Sequence, residues 1–191
     1  MKLYSLVIFS FFTNFALGQV PANGTIIFAK EFSKEISLYR AKTFVIQEIL
    51  ADTIGIVKFE IDPLAAATSG ELTTLVYKCE SKKKSGLILG FFGNRWNDAG
   101  VNYQAYSFKN LSIIQANELI NKIENAVSEN SKYLNEDLDN NNIYFVYEDL
   151  KILIYGVAYG YKIRVYWNNF DSEWNFSEFK KTQKRLAKKM K

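Results

Sequence analysis

Two short stretches of this 191-residue chain combine flat aromatic rings with side chains that hydrogen-bond in fixed directions. The first is Phe91-Phe92-Gly93-Asn94-Arg95-Trp96-Asn97-Asp98. The second is Trp167-Asn168-Asn169-Phe170-Asp171, with Trp174 close behind. An indole plate beside amide, carboxylate and guanidinium groups is the chemistry that holds a sugar ring or a peptide. The plate takes the apolar face and the polar groups fix the orientation. Asn94, Arg95, Trp96, Asp98, Asn168, Asp171 and Trp174 are therefore the candidate ligand-binding residues, for a carbohydrate or peptide ligand. Arg95 and Arg164 are two of only four arginines, and either could serve a carboxylate or phosphate group. The competing reading is that Trp96 and Trp167 plug sheet ends while the Asn and Asp residues supply turns, since tryptophan is mostly buried.

Catalysis has fewer routes. The chain has no histidine and one cysteine, which excludes Ser-His-Asp and Cys-His sites, His-ligated zinc and haem. Paired carboxylates would remain, as in a histidine-free glycosidase, with Asp98, Glu148, Asp149, Asp171 and Glu173 available. Among 20 acidic residues such candidates are expected by number alone, so the signal is nearly empty. No glycine-rich phosphate loop or dinucleotide fingerprint occurs. Cys79 reads as a small buried apolar residue, with a disulfide to another molecule as the alternative.

One stretch could hold a cation. Asp137, Asp139, Asn141 and Glu148 put oxygen at positions 1, 3, 5 and 12 of a twelve-residue window. It resembles an EF-hand calcium loop over those twelve residues, which implies calcium held by Asp137, Asp139 and Asn141. Asn142 stands where that loop has glycine, and Ile143 to Tyr147 has the composition of a strand, which would carry Glu148 away. The alternative is a solvated turn between a helix and a strand. No other cofactor is implied.

Hydrophobic content of 48%, aromatic content of 16% and charged content of 23% fit one globular domain. Charge is unevenly spread. Lys180, Lys181, Lys184, Arg185, Lys188, Lys189 and Lys191 crowd the last twelve positions, leaving residues 19–179 with sixteen basic residues against twenty acids. Such a tail is either a fraying helix end or a contact for anionic surfaces. Residues 1–18 read as a cleaved secretory signal: Lys2, an apolar run from Leu3 to Phe12, then Ala16-Leu17-Gly18. The run is too short for a membrane span. The expectation is a secreted or periplasmic protein with one domain over 19–191. The leader and the Lys-, Asn- and Ile-rich composition resemble secreted proteins of Bacteroidetes-type bacteria.

The elements that must position these residues centre on Ile143 to Trp167. Three β-branched and aromatic runs there predict an antiparallel meander, so apolar in its first two strands that cover on both faces is expected. Earlier strands are predicted at Thr25–Ala29, Gly55–Ile61 (ended by Asp62-Pro63), Leu72–Cys79, Leu87–Phe92 and Val101–Phe108. Glu35–Leu50 is ambiguous between helix and strand. Ser112 and Gln115 form a capping box for a helix over about 112–132, with Ile113, Ala116, Ile120, Ile123 and Val127 as its apolar stripe. Asn168 to Ser172 reads as a turn, and Asn175 with Glu178 opens a second helix over about 175–190. No internal repeat or linker is visible. The sum is an α+β fold: a mainly antiparallel sheet of six to eight strands with two amphipathic helices packed on it.

Overall fold

The computed structural model describes residues 37–65, 72–96, 98–138 and 140–189; the side chains of residues 94–96, 102 and 104 lie outside that description. The expected leader and the strand at Thr25–Ala29 lie outside it too. Residues 37–44 are helical and widen into a π turn at Val45–Ile49, together α1. Helix-favouring Ala, Lys, Gln and Glu thus prevail over Phe44-Val45-Ile46 in the stretch the sequence left open.

Four strands follow: β1 (Glu60–Ala65), β2 (Thr73–Cys79), β3 (Lys84–Trp96) and β4 (Asn102–Ser112). They form one antiparallel sheet in the order β1-β2-β3-β4. Then come α2 (Ile113–Glu129) and the short α3 (Ser131–Glu136). A second meander repeats the pattern: β5 (Asn142–Tyr147), β6 (Leu150–Val157), β7 (Gly160–Trp167) and β8 (Phe170–Asn175), in the order β5-β6-β7-β8. The last described element is α4 (Phe176–Lys189). The α+β expectation holds, with eight described strands. They divide between two four-stranded sheets instead of forming one, and four helical elements are described where two were expected.

The order of elements is therefore duplicated, four strands and then a helix, although no sequence repeat announces it. Each helix also braces the opposite half. The Lys122 ammonium of α2 donates to the Val146 carbonyl of β5 (3.1 Å), and Arg185 of α4 donates to the Leu64 carbonyl of β1 (2.7 Å). The backbone N–H of Leu72 bonds the Glu173 carbonyl at 2.7 Å, tying the entry to β2 onto β8.

Several boundaries differ from the sequence reading for physical reasons. Asp62-Pro63 lies inside β1 and does not end it, because β1 is an edge strand where a missing N–H is tolerated and a bulge falls beside it. The alternation of Val57, Phe59 and Ile61 still reports a face: all three pack on the core beneath α1. Phe170–Asn175, whose first three residues were read as part of a turn, is β8; the turn itself is only Asn168-Asn169, both at positive φ (47° and 59°). The capping box is present as expected, Ser112 Oγ accepting from the Gln115 N–H and Gln115 Oε1 from the Ser112 N–H. Asn175 Oδ1 likewise accepts from the Glu178 N–H at the start of α4.

Two cores result. The larger draws Leu87, Leu89 and Phe91 of β3 together with Ile152, Ile154, Ile163, Val165 and Trp174 of the second sheet, and with one face each of α2 and α4. The smaller lies on the other face of the first sheet, where Ala41, Val45 and Ile49 of α1 meet Leu75, Tyr77, Cys79, Ile88 and Phe108. Cys79 is buried there. It is thus β2 and β3 that are covered on both faces. The second meander, for which such cover was expected, alternates buried and accessible residues along β6, β7 and β8, and half-buried and exposed ones along β5. The sequence misled because its outward positions include Tyr144, Val146, Leu153 and Tyr155, which count as apolar although the tyrosines are content at a wet surface. On the buried side α3 comes so close that a Cβ on Gly156 of β6 would stand 2.0 Å from the Leu134 carbonyl oxygen, so only glycine fits. Among the described residues no helix is long and apolar enough to cross a membrane.

Candidate functional site: the open face of the second sheet

Cross-strand register defines this face. Tyr155 lies opposite Lys162, and Lys162 opposite Asn175. Leu153 lies opposite Arg164, and Arg164 opposite Glu173. Lys151 lies opposite Tyr166, and Tyr166 opposite Asp171. Directly opposed residues point to the same side of an antiparallel pair. Tyr155, Tyr166 and Leu153 thus form an aromatic and aliphatic centre within a ring of charged groups. Their inward neighbours Ile152, Ile154, Ile163 and Val165 are wholly buried, which locks the strands in one register and fixes the outward set.

The charges on this face are mutually satisfied. Arg164 grips Asp171 in a fork, Nε to Oδ1 at 2.8 Å and Nη2 to Oδ2 at 2.7 Å. Lys162 bonds Glu173 at 3.2 Å. The Asp171 carboxylate holds the Arg164 guanidinium protonated at all accessible pH, and Glu173 raises the Lys162 pKa. Lys151 is left as the one further charge on these three strands' outward positions.

At one end the face falls into an open depression of about 330 Å³ lined by residues that include Asp149, Lys151, Tyr166, Asn168, Asn169 and Asp171. Trp167 stands at its inner wall, ring packed on Phe91 (centroids 5.2 Å) and indole N–H donated to Asp149 Oδ2 (2.8 Å). Lys109 of β4 reaches the same carboxylate at 2.7 Å. Partial burial pushes the Asp149 pKa upward, but the Lys109 ammonium and the Trp167 N–H outweigh it and hold the group below the ordinary aspartate value.

The two aromatic segments singled out in the sequence do lie side by side. Asn168 Nδ2 donates to Ser107 Oγ on β4 (3.2 Å), and a Cβ at Gly93 would sit 3.8 Å from the Phe170 ring. Asn168 and Asp171 line the depression, whereas Asp98 is exposed in the β3–β4 turn. The side chains of Asn94, Arg95 and Trp96 are outside the description. Trp174 must be withdrawn from any ligand surface: it is 0% exposed, edge-to-face with Phe179 at 5.0 Å. Its position on β8 alternates inward, a fact hidden while the start of that strand was read as a turn. Tyr155, Tyr166 and Lys151 were missed. The signal for them was there in the alternation of Lys151, Leu153 and Tyr155 against Ile152 and Ile154.

The remaining candidates are dispersed. Glu148, at φ 52°, accepts from Gln115 and lies 3.7 Å from Lys109, at the far end of β5 from Asp137. Asn141 turns its amide back onto the Tyr133 carbonyl (2.7 Å), Asp137 accepts from Asn140 (3.0 Å), and Asp139 is outside the described residues. The basic tail is helical through Lys189 and tied to the body by Lys180 to Glu124 and Lys189 to Asp62 (2.7 Å), while Lys181 pairs with Glu178 within the helix (2.9 Å). Lys184 and Lys188 are exposed. No family model, no curated protein and no solved structure matches this chain.

Proposed function

We propose that the protein is a non-catalytic binding module, secreted or periplasmic, whose ligand is an uncharged carbohydrate chain lying across the open face of the second sheet. The observation that carries this reading is the pairing of Arg164 with Asp171 beside Tyr155 and Tyr166. A face that has neutralised its own charges offers little to an anionic polymer. It retains flat rings and directional polar edges, which suit neutral sugars. Asn168, Asn169 and Asp171 supply those edges in the adjoining depression.

The hydrolase alternative has less support. A glycosidase needs a carboxyl group kept protonated as general acid. Of the candidates, Glu148 and Asp149 share Lys109, Asp171 is forked by Arg164 and Glu173 is paired with Lys162. Calcium at Asp137, Asp139 and Asn141, and anionic contact through Lys184 and Lys188, stand as lesser proposals. A calcium titration and a vesicle sedimentation assay respectively test them.

The test of the main reading is retention of residues 19–191 on insoluble cellulose, xylan and chitin. Replacing Tyr155 and Tyr166 together by Ala should weaken binding to the retained polysaccharide roughly tenfold to thirtyfold, at about 1 kcal/mol per lost ring. No retention on any of them, or retention unchanged by the double substitution, would remove it.

A further inference from the structure

The second meander ends at β5, and that edge differs from the other three. An exposed edge strand invites pairing with another chain, and edges are ordinarily blunted by charge, proline, bulges or cover. β1 carries Glu60, Asp62, Pro63 and a bulge. β4 carries Lys109. β8 carries Asp171 and Glu173, and the Leu72 N–H occupies its Glu173 carbonyl. β5 reads Asn-Ile-Tyr-Phe-Val-Tyr, with no charge and no proline. The contrast is sharpest with β1, which holds the same place in the first half of the duplicated fold.

Apart from the Val146 carbonyl, which accepts from Lys122, the backbone of β5 is available on that side. Tyr147 opposes Leu150 across a two-residue turn, so Tyr147, Phe145 and Ile143 direct their N–H and C=O groups at β6. Asn142, Tyr144 and Val146 direct theirs outward, as the approach of Lys122 to the Val146 carbonyl confirms. Among the described residues no backbone group pairs with this edge. Side chains there are exposed too: Tyr144 is 60% accessible and Val146 45%. On the opposite side of the strand a groove of about 600 Å³ separates it from α2, with Ile143, Phe145 and Ala126 among its apolar lining and Glu118, Lys122 and Glu129 among its polar lining.

We infer that β5 pairs antiparallel with β5 of a second copy of this chain, about a two-fold axis at Tyr144. The strand's own sequence meets what its edge asks of a partner. In that register Tyr144 meets its counterpart, Asn142 meets Val146 of the second copy, and about four backbone hydrogen bonds form while Lys122 keeps the Val146 carbonyl. On the groove side Ile143 meets Phe145 of the second copy, placing apolar against apolar, with the Lys122 ammonium over the Phe145 ring. The polar groove residues carry both signs, so two copies can approach there without a like-charged field. Two four-stranded sheets become one of eight strands, and their open faces become continuous. The contact is small: about ten residues a side, against the twenty to thirty of a standard interface. A weak dimer follows, with a dissociation constant of roughly 10–500 µM. None of this depends on what the open face binds.

Sedimentation velocity on residues 19–191 over roughly 5–500 µM should show a monomer passing to a dimer. The double substitution Tyr144→Lys and Val146→Lys places four like charges at the seam and should leave only monomer, with an unchanged melting temperature because both side chains are exposed. A second variant, Tyr144→Cys with Cys79→Ala, should cross-link under mild oxidation, since facing hydrogen-bonded residues lie about 5.5 Å apart at Cα, within disulfide reach. A monomer at every concentration would overturn the inference. So would a dimer indifferent to the two lysines, and failure of the cysteine variant to cross-link would overturn the register.

Discussion

Arg164 of β7 and Asp171 of β8 are joined by two parallel hydrogen bonds of 2.8 and 2.7 Å on the open face of the second sheet. A planar guanidinium and a carboxylate in this fork hold each other rigidly and cancel each other's charge. The substitution Asp171→Asn would leave Arg164 beside Lys162 and Lys151 with only Glu173 in opposition. Heparin affinity chromatography should then show stronger retention than that of the unaltered protein, weakening steeply with salt. Equal elution of the two proteins would mean that the pair does not set the charge of the face.

Trp174 and Phe179 meet edge-to-face at 5.0 Å in the shared core, both wholly buried. Trp174→Ala should cost about 3–5 kcal/mol, measured by urea unfolding. Among the described residues the indole N–H has no partner, so Trp174→Phe removes an unsatisfied donor along with ring volume and should cost markedly less than the alanine substitution. Comparable losses for the two variants would show that the N–H is satisfied in solution.

The C-terminal helix is structural along most of its length. Leu186 is 1% exposed, and Arg185 and Lys189 reach back to β1. Deleting residues 184–191 should therefore lower stability by about 2–5 kcal/mol, chiefly through the loss of Leu186, with surface ion pairs adding little. A shortened protein with the full-length melting temperature would show that the end of α4 frays in solution.

Much of this fold could be read from the chain, and the failures share a cause. The Ser112–Gln115 capping box, the stripe of α2, the Asn175 cap and strands β5 to β7 all rest on local chemistry, and all are present. What required tertiary context was lost. Tyrosine at 144, 155 and 166 counts as apolar in a pattern but faces out here, so the open face looked like core. Phe170–Asn175 is short and polar on alternate positions, so the start of β8 looked like a turn and Trp174 looked like rim. The duplicated topology leaves no sequence repeat because its two halves bury different surfaces: both faces of the first sheet, one face of the second. Of the site itself, Asn168 and Asp171 were legible from turn chemistry and Arg164 from its rarity; Tyr155 and Tyr166 were not.

Alkaline pH should expose the burial of two phenols. Burial, with Glu124 nearby, pushes the Tyr161 pKa up to about 12; for Tyr147 burial and the Glu118 carboxylate do the same. A raised folded pKa favours the neutral ring, so these groups contribute stability below the unfolded value near 10 that is lost as pH climbs toward 12. Absorbance titration should show most of the 12 tyrosines ionising near pH 10, with a late fraction ionising only as the protein unfolds. Tyr161→Phe should shrink the late fraction. Reversible ionisation of every tyrosine near pH 10 would contradict the buried environment.

Binding on the open face is tested most directly by backbone NMR of residues 19–191 with a soluble oligosaccharide of whichever polysaccharide retains the protein. The expected perturbations fall on Lys151, Leu153, Tyr155, Arg164, Tyr166, Asn168 and Asn169, with α1 and β2 unmoved. Perturbations confined to the first sheet or to α4, with that set silent, would contradict the assignment of the face as the binding site.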